Sequence, residues 1–230
     1  MTADPRLIVP LDLPTVADAR GMVDQLGDAV SFYKIGLELL ATDGMSFAGD
    51  LKKAGKQVFL DWKLHDIGAT VERSARVLAG AGCDLLTVHA EPQVMRAAVK
   101  ASASSDLKIL AVTVLTSLTD ADLIEMGYAF SARALVERRI RQAVECGVDG
   151  IVSSPHEAAL AREIGGPDFL VVTPGVRPFW AAKNDQARAA TPADAIAAGA
   201  SHLVCGRPIT AANDPREAAL KVIEEMAGVS

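Results

Sequence analysis

The stretch Gln57-Val58-Phe59-Leu60-Asp61-Trp62-Lys63-Leu64-His65-Asp66-Ile67 has the pattern of a β-strand that runs into a helix. One face of this strand is wholly apolar, and the other carries charged residues toward its end, as in a strand with one buried face. The apolar face has Val58, Leu60, Trp62 and Leu64, and the other has Phe59, Asp61, Lys63 and His65. The alternative is a surface strand with its charges in water. We favour a functional centre here, because three charges of mixed sign lie between an apolar strand and an apolar helical pattern, which is where α/β proteins place their chemistry.

Composition limits the possible functions. The 230 residues are 50 % hydrophobic with a net charge of −6, which fits a globular protein and disfavours a broad nucleic-acid-binding face. Cys83, Cys146 and Cys205 are widely spaced and odd in number, so we expect buried thiols in a reducing compartment. The N-terminus lacks the features of a signal peptide, and no apolar run is long enough for a membrane span. We therefore expect a cytoplasmic protein.

Short β-like runs alternate with amphipathic helical patterns along the whole chain, which predicts an α/β fold, a (β/α)8 TIM barrel, as a single domain over residues 1–230. A doubly wound open sheet is the alternative, but no Gly-x-Gly-x-x-Gly follows the first strand. The predicted strands are 7–13, 32–37, 58–64, 85–90, 109–115, 150–153, 169–173 and 202–206. The predicted helices are 16–26, 70–79, 93–101, 132–146, 156–164, 192–198 and 216–226.

In a barrel of this kind, functional groups lie at the carboxyl ends of the strands. Six of the eight predicted strands carry a charge or hydroxyl at or near that end: Asp12, Lys34, Asp61, Lys63, Thr116, Ser117, Arg177 and Arg207. Asp61 and Lys63 are two residues apart and should both point into the barrel mouth. Asp66 lies where the chain turns into a helix and could also be its N-cap.

An ammonium between carboxylates stays protonated, so Lys63 is a poor Schiff-base nucleophile and a good proton donor. A carboxylate such as Asp61 raises the energy of a bound anion that must leave as a neutral gas. Gly206 and Arg207, followed by Pro208, fit a phosphate site at a short helix. The long connection 174–190, which carries Arg177 and Gln186, could close over it, and 116–131 is a second long loop.

Histidine chemistry has less support. His89 ends the fourth predicted strand, and a hydrogen-bonded structural role is favoured over acid–base catalysis. No His-x-His or His-Glu-x-x-His motif occurs, so a metal site is not expected. Trp62 should pack on the surrounding helices.

The motif Asp61-x-Lys63-x-x-Asp66-Ile67-x-x-Thr70 resembles the signature of the orotidine 5′-phosphate decarboxylase family. Further stretches resemble family blocks in family order: Val9-Pro10-Leu11-Asp12, Lys34-Ile35-Gly36, Val112-Thr113-Val114-Leu115-Thr116-Ser117, Thr173-Pro174-Gly175-Val176-Arg177-Pro178, Asp185-Gln186 and Gly206-Arg207-Pro208-Ile209-Thr210. Gly68-Ala69 departs from the pattern, since many relatives carry Pro-Asn there.

The resemblance implies a homodimeric (β/α)8 barrel that converts orotidine 5′-phosphate to UMP without cofactor or metal. Lys63 would protonate C6 of the pyrimidine, and Asp61 would lie beside the departing carboxylate. The partner subunit would donate Asp66, Ile67 and Thr70. Asp66 would complete the catalytic charge network, which Lys34 and Asp12 would join while also binding the ribose. The other implied contacts are Thr116 and Ser117 with the pyrimidine, and Gln186, Gly206, Arg207 and Arg177 with the phosphate.

Two other functions are alternatives for a chain with these motifs. The Mg²⁺-dependent 3-keto-gulonate 6-phosphate decarboxylase and hexulose phosphate synthase group shares the Asp-x-Lys-x-x-Asp barrel. Those enzymes resemble this chain less, because they carry a glutamate metal ligand where it has Lys34. A non-catalytic phosphate-binding barrel would be marked by loss of Lys63 or of an acidic partner, and these residues are all present.

Overall fold

The computed structural model describes residues 3–181 and 190–228. In this part of the chain, eight parallel strands form a closed barrel in sequence order, and the last strand pairs with the first. The strands are β1 (Leu7–Pro10), β2 (Phe32–Ile35), β3 (Gln57–Leu64), β4 (Leu85–His89), β5 (Lys108–Val112), β6 (Gly150–Val152), β7 (Leu170–Pro174) and β8 (His202–Val204). The predicted (β/α)8 TIM barrel is confirmed.

Helices follow the strands around the outside. They are α1 (Val16–Leu26), α2 (Leu37–Leu40), α3 (Gly44–Lys53), α4 (Gly68–Gly80), α5 (Pro92–Ser102), α6 (Asp120–Glu125), α7 (Ala132–Cys146), α8 (Ala158–Gly165), α9 (Pro192–Ala197), α10 (Arg207–Thr210) and α11 (Pro215–Ala227). Short 3-10 helices occur at Gly27–Ala29 and Pro155–Glu157. Among the described residues, no helix is long and apolar enough to cross a membrane.

Local sequence explains where the well-predicted helices begin and end. Thr15 and Ser131 cap α1 and α7, because each side-chain oxygen accepts a backbone N–H of the first turn. Gly147 ends α7 in the left-handed conformation that glycine adopts without strain. Both helices have the bounds predicted from the sequence.

Two apolar clusters hold the barrel together. The inner cluster fills the barrel with side chains from the strands: Ile8, Phe32, Phe59, Leu85, Leu110, Val172 and Val204, with Val152 and Leu170 partly buried against them. The outer cluster lies between the strands and the helices and includes Trp62, as predicted. The three cysteines are buried as free thiols, also as expected. The inner cluster forms an apolar floor beneath the carboxyl ends of the strands.

Several strand ends were predicted too far along the chain. Strand β1 was expected to reach residue 13 and ends at Pro10, and β5 was expected to reach residue 115 and ends at Val112. In both cases the apolar run continues past the last paired residue, because those side chains line the barrel mouth or pack beneath the loop that follows. Leu115, for example, lies in the wall of the cavity described next.

Candidate active site

A cavity of about 350 Å³ opens at the carboxyl ends of the strands. It brings together most of the polar residues that the sequence analysis singled out: Asp12, Lys34, Asp61, Lys63, Thr116, Arg177, Gly206 and Arg207. Phe59 of the inner cluster forms part of its floor, and its remaining wall is largely apolar. A mostly apolar cleft with a few convergent polar groups is the usual form of a small-molecule site.

Four charged side chains form a row of alternating sign inside this cavity. The Lys34 amine lies 2.9 Å from Oδ1 of Asp12 and 3.4 Å from Oδ2 of Asp61. The other oxygen of Asp61, Oδ1, accepts a hydrogen bond from the Lys63 amine at 2.9 Å. The order along the row is therefore Asp12, Lys34, Asp61, Lys63. Lys34 is the most enclosed, with 9 % of its side chain exposed, so its charge is screened little by water.

Asp61 is the acid at the centre of this row, and 14 % of its side chain is exposed. Burial raises its pKa, but the nearby ammonium groups of Lys34 and Lys63 and hydrogen bonds from Lys63 and Thr87 outweigh burial, so the net pKa lies below its ordinary value. The carboxylate is therefore ionised at neutral pH. An anionic group bound beside it would be repelled.

Lys63 has an unusual backbone. Its φ of 48° is the one positive φ among the described residues other than glycine. It lies in an irregularity of the β3–β4 pairing: Leu60 pairs with Leu86 and Leu64 with Val88. Three residues of β3 therefore lie opposite one residue of β4, Thr87. Such bulges re-aim side chains next to active sites, and this strained conformation costs about 1–3 kcal/mol.

Gly36 leaves the space that the Asp12 carboxylate occupies. A Cβ atom at residue 36 would lie 2.4 Å from Oδ1 of Asp12 and 3.1 Å from the Lys34 amine. The motif Lys34-Ile35-Gly36 does not by itself predict a role for Gly36, because this close approach depends on β1 and β2 being neighbours in the barrel.

The opposite side of the cavity carries the groups predicted to hold a phosphate. Gly206 precedes the short helix α10, which begins at Arg207 with Pro208 in its first turn. Arg177 follows β7, and its backbone N–H donates to the carbonyl of Ala190 at 2.9 Å. The two ends of the connection 174–190 therefore lie side by side. Gln186 lies outside the described residues.

Of the predicted site residues that the structure describes, four do not line this cavity: Asp66, Ile67, Thr70 and Ser117. Asp66 is exposed and accepts a hydrogen bond from the Ile67 N–H at 2.6 Å. Ile67 is 67 % exposed. The N-cap of α4 is Ile67, so the alternative reading of Asp66 as the N-cap is wrong. Ser117 lines a neighbouring cavity of about 610 Å³ that shares Thr116 and Arg207 with the first.

The loop after β5 contains structure that the sequence analysis did not predict. Helix α6 begins with a reciprocal cap between Thr119 and Asp122. Arg139 of α7 donates to the Thr113 carbonyl and, at 3.1 Å, to the Tyr128 hydroxyl. These contacts tie the far end of the loop to the barrel.

His89 is the last residue of β4 and does not line the cavity. Burial lowers its pKa, and its ring centroid lies 4.9 Å from that of His65. Glu91 approaches His65 at 3.6 Å. This arrangement is compatible with the structural role favoured from the sequence, which stays a prediction.

Comparisons with known proteins agree with the geometry. A family model described as Orotidine 5'-phosphate decarboxylase / HUMPS family matches residues 5–222. The chain is 85 % identical over 229 residues to the orotidine 5'-phosphate decarboxylase of Caulobacter sp. (strain K31), with 100 % of both chains covered. It is 57 % identical over 222 residues to the enzyme of that name from Rhodopseudomonas palustris (strain ATCC BAA-98 / CGA009), covering 96 % of this chain and 94 % of the relative.

Solved structures agree as well. The crystal structure of orotidine 5'-phosphate decarboxylase from Lactobacillus acidophilus superposes with a TM-score of 0.85 at 36 % identity, covering 97 % of this chain and 99 % of the other. An uncharacterized conserved protein from Geobacillus kaustophilus gives a TM-score of 0.83 at 32 % identity, covering 96 % and 99 %. With its barrel, its row of alternating charges and these full-length matches, the chain belongs to the orotidine 5'-phosphate decarboxylase / HUMPS family.

Proposed function

We propose that the protein decarboxylates orotidine 5′-phosphate to UMP, the last step of de novo pyrimidine nucleotide synthesis. The observation that carries this proposal is the row Asp12, Lys34, Asp61, Lys63 in one cavity with Gly206 and Arg207. It supplies a repelling carboxylate, a proton donor and a cationic anchor, in a chain whose relatives carry that enzyme name.

The chemical step uses Asp61 and Lys63. The bond from C6 to the carboxylate breaks, its electron pair stays on C6, and carbon dioxide leaves. The Lys63 ammonium gives its proton to C6, and the neutral amine regains a proton from water. Asp61 destabilises the substrate carboxylate by like-charge repulsion that disappears as the neutral gas forms. The fixed charges need no reorganisation during the reaction.

The phosphate lies far from the bond that breaks, yet its binding can accelerate the reaction. Gly206 and Arg207 would hold it, with Arg177 and Gln186 on the connection 174–190. If phosphate binding draws this connection over the substrate, binding energy from a remote group is converted into exclusion of water and alignment at C6. Thr116 and Ser117 would contact the pyrimidine, and Asp12 and Lys34 the ribose.

We propose that the reaction needs no metal or other cofactor. The Lys34 amine lies between carboxylate oxygens of Asp12 and Asp61. A divalent cation bound by those oxygens would be repelled by this ammonium. The position of the Lys34 ammonium therefore disfavours the Mg²⁺-dependent sugar-phosphate alternative for this chain.

The proposed active unit is a cytoplasmic homodimer with shared sites. Asp66, Ile67 and Thr70 lie outside the cavity of their own chain, and Ile67 is a large apolar side chain exposed to solvent. Both facts fit donation to the cavity of a second copy. There Asp66 would add a second carboxylate beside Lys63, and Thr70 would contact the ribose.

The test is a spectrophotometric assay of orotidine 5′-phosphate loss with the purified protein, with and without EDTA. We expect turnover that EDTA does not change. Turnover abolished by EDTA would refute the metal-free mechanism, and absence of turnover would refute the proposed function.

The matched variants are Lys63→Ala and Lys53→Ala. Loss of a general acid lowers kcat by about 10²–10⁴-fold or more, so Lys63→Ala should be almost inactive with the same circular dichroism as the wild type. Lys53 is on the outer helix α3 with 83 % of its side chain exposed, and its removal should leave turnover unchanged. An active Lys63→Ala enzyme would refute the assigned role.

A further inference from the structure

Thr87 of β4 is fully buried and lies next to the two central residues of the proposed mechanism. Its side-chain oxygen accepts a hydrogen bond from the Lys63 backbone N–H at 3.0 Å and lies 3.0 Å from Oδ1 of Asp61. The Leu60 carbonyl is a more distant acceptor at 3.5 Å. Since a hydroxyl has one proton, the closer and charged Asp61 oxygen is its preferred acceptor.

The position of Thr87 follows from the barrel. Leu85, two residues earlier on β4, belongs to the inner cluster, so Thr87 also points inward, one layer above it. Thr87 is the one residue of β4 that lies opposite three residues of β3, 61–63, between the pairs Leu60–Leu86 and Leu64–Val88. Its side chain, and not a strand carbonyl, therefore receives the N–H of Lys63.

We propose that Thr87 is a positioning residue for the decarboxylation proposed above: its hydroxyl holds Lys63 in the left-handed backbone conformation and fixes the Asp61 carboxylate against the Lys63 amine. One oxygen thereby ties the backbone of the proton donor to the side chain of its acidic neighbour. The inference rests on the proposed function, because it assigns Thr87 a role in that reaction.

The hydroxyl also stabilises the ionised form of Asp61. The charged groups that face Asp61 are Lys34 on β2 and Lys63 on its own strand, and Asp12 contacts the same Lys34 amine. Burial lowers the pKa of His89 on β4, and the charge of Lys63 lowers it further. Removal of the Thr87 hydroxyl should move the pKa of Asp61 upward, since one of the hydrogen bonds that lower it is lost.

The test compares Thr87→Val, which removes the hydroxyl at similar volume, with Thr87→Ser, which keeps it. In Thr87→Val we expect kcat to fall by about 10- to 100-fold, as for a misplacement of reacting groups by about 1 Å, with KM nearly unchanged. The acidic limb of the kcat/KM profile should move to higher pH. Thr87→Ser should recover both kcat and the pH profile.

Thr173→Val is the matched control. Thr173, on β7, is equally buried, but it faces the surrounding helices because its neighbour Val172 belongs to the inner cluster. Its hydroxyl has no hydrogen-bond partner among the described residues. We expect wild-type kcat, KM and pH profile for this variant. A fall in kcat equal to that of Thr87→Val would mean that burial of valine, and not loss of the hydrogen bonds, causes the defect, and would overturn the proposal.

A crystal structure of Thr87→Val gives a readout that is independent of turnover. We expect Lys63 to leave its positive φ, or the distance from its amine to Asp61 Oδ1 to increase beyond 2.9 Å. Unchanged geometry with wild-type kcat would overturn the proposal. If Thr87→Val does not fold, Thr87→Ala is compared with Thr87→Ser in its place. Absence of turnover by the wild type would instead refute the proposed function, and the structural comparison would still decide the role of Thr87.

Discussion

Gly36 and Asp12 are so close that a Cβ atom on the glycine would lie 2.4 Å from the carboxylate oxygen Oδ1. The atom that must move is the end of a flexible side chain, so Gly36→Ala should displace the Asp12 carboxylate from Lys34 and leave the barrel folded. A hydrogen bond to a charged group contributes about 1.5–3 kcal/mol. We therefore expect kcat/KM to fall by about 10- to 100-fold, measured by steady-state kinetics.

Gly49→Ala is the control for this prediction. A Cβ atom at Gly49, within α3, would meet no atom within 4 Å. Alanine at an open helix position stabilises by up to about 1 kcal/mol, so the melting temperature should rise slightly and turnover should not change. If Gly36→Ala kept the wild-type kcat/KM, the Asp12–Lys34 contact would have no role in substrate binding.

A second prediction concerns the shared sites of the proposed dimer. Lys63→Ala and Asp66→Ala should each be inactive, but mixing the two under conditions that exchange subunits should restore activity. If Asp66 completes the site of the partner, each mixed dimer has one intact site, and roughly a quarter of the wild-type activity returns at equal amounts. Turnover is measured before and after exchange.

The control for subunit mixing uses two residues of the same site. Lys63 and Asp61 contact each other within one chain, so a mixture of Lys63→Ala and Asp61→Ala has no intact site in any dimer and should stay inactive. If the mixture of Lys63→Ala with Asp66→Ala also stayed inactive although exchange is demonstrated, Asp66 would act in its own chain.

A third prediction separates phosphate binding from phosphate-driven closure. Orotidine, which lacks the phosphate, should be decarboxylated with a strongly reduced kcat as well as a weaker affinity, because the remote group no longer drives the connection 174–190 over the pyrimidine. Single-turnover measurements at saturating orotidine test this. A raised KM with an unchanged kcat would leave Gly206 and Arg207 as binding groups only.

The fourth prediction follows from the low pKa of Asp61. Buried beside Lys34 and Lys63, its carboxyl binds a proton less readily in the folded than in the unfolded protein, despite the opposing effect of burial. A lowered folded-state pKa contributes stability above the unfolded pKa of about 3.9, and that contribution is lost as pH falls through the folded pKa.

Thermal melts of the wild type and Asp61→Asn at a series of pH values test this sign. At pH near 7 the wild type should melt at the higher temperature, because asparagine removes the counter-charge that Lys63 contacts and leaves Lys34 with Asp12 alone. Toward low pH the two curves should converge, since a protonated Asp61 resembles asparagine. A difference in melting temperature that stays constant with pH would contradict the prediction.

The periodicity of apolar residues predicted the architecture well, because helices such as α1 and α7 have a capping residue at the N-terminus and a regular apolar face. It missed α3, which begins at Gly44 with no side-chain hydrogen bond from its N-cap Asp43. It also placed the ends of β1 and β5 too late, because the apolar residues of these segments continue into the barrel mouth. The alternation of side chains along β3 correctly predicted that Asp61 and Lys63 point into the same cavity.

The finer geometry of the site depends on neighbours that are distant in sequence. The bulge at Lys63 is a shift in the register between β3 and β4. The Lys63 backbone N–H there donates a hydrogen bond to the side chain of Thr87, which is 24 residues further along the chain. A threonine in an apolar strand gives no local sign of this role. The sequence shows only that Thr87 lies two residues after Leu85 and so shares its face of the strand. That face is known to point inward only from the structure of the barrel.

The apolar floor formed by the inner cluster makes the cavity a blind chamber. Phe59 closes it from below, directly under Asp61, so a molecule released at the row of charges has no route through the centre of the barrel. Under the proposed reaction, carbon dioxide and UMP must both depart through the opening by which the substrate arrived. If the connection 174–190 closes over the substrate, it must open again before the products can leave. Opening of the cavity could then be the rate-limiting step of turnover.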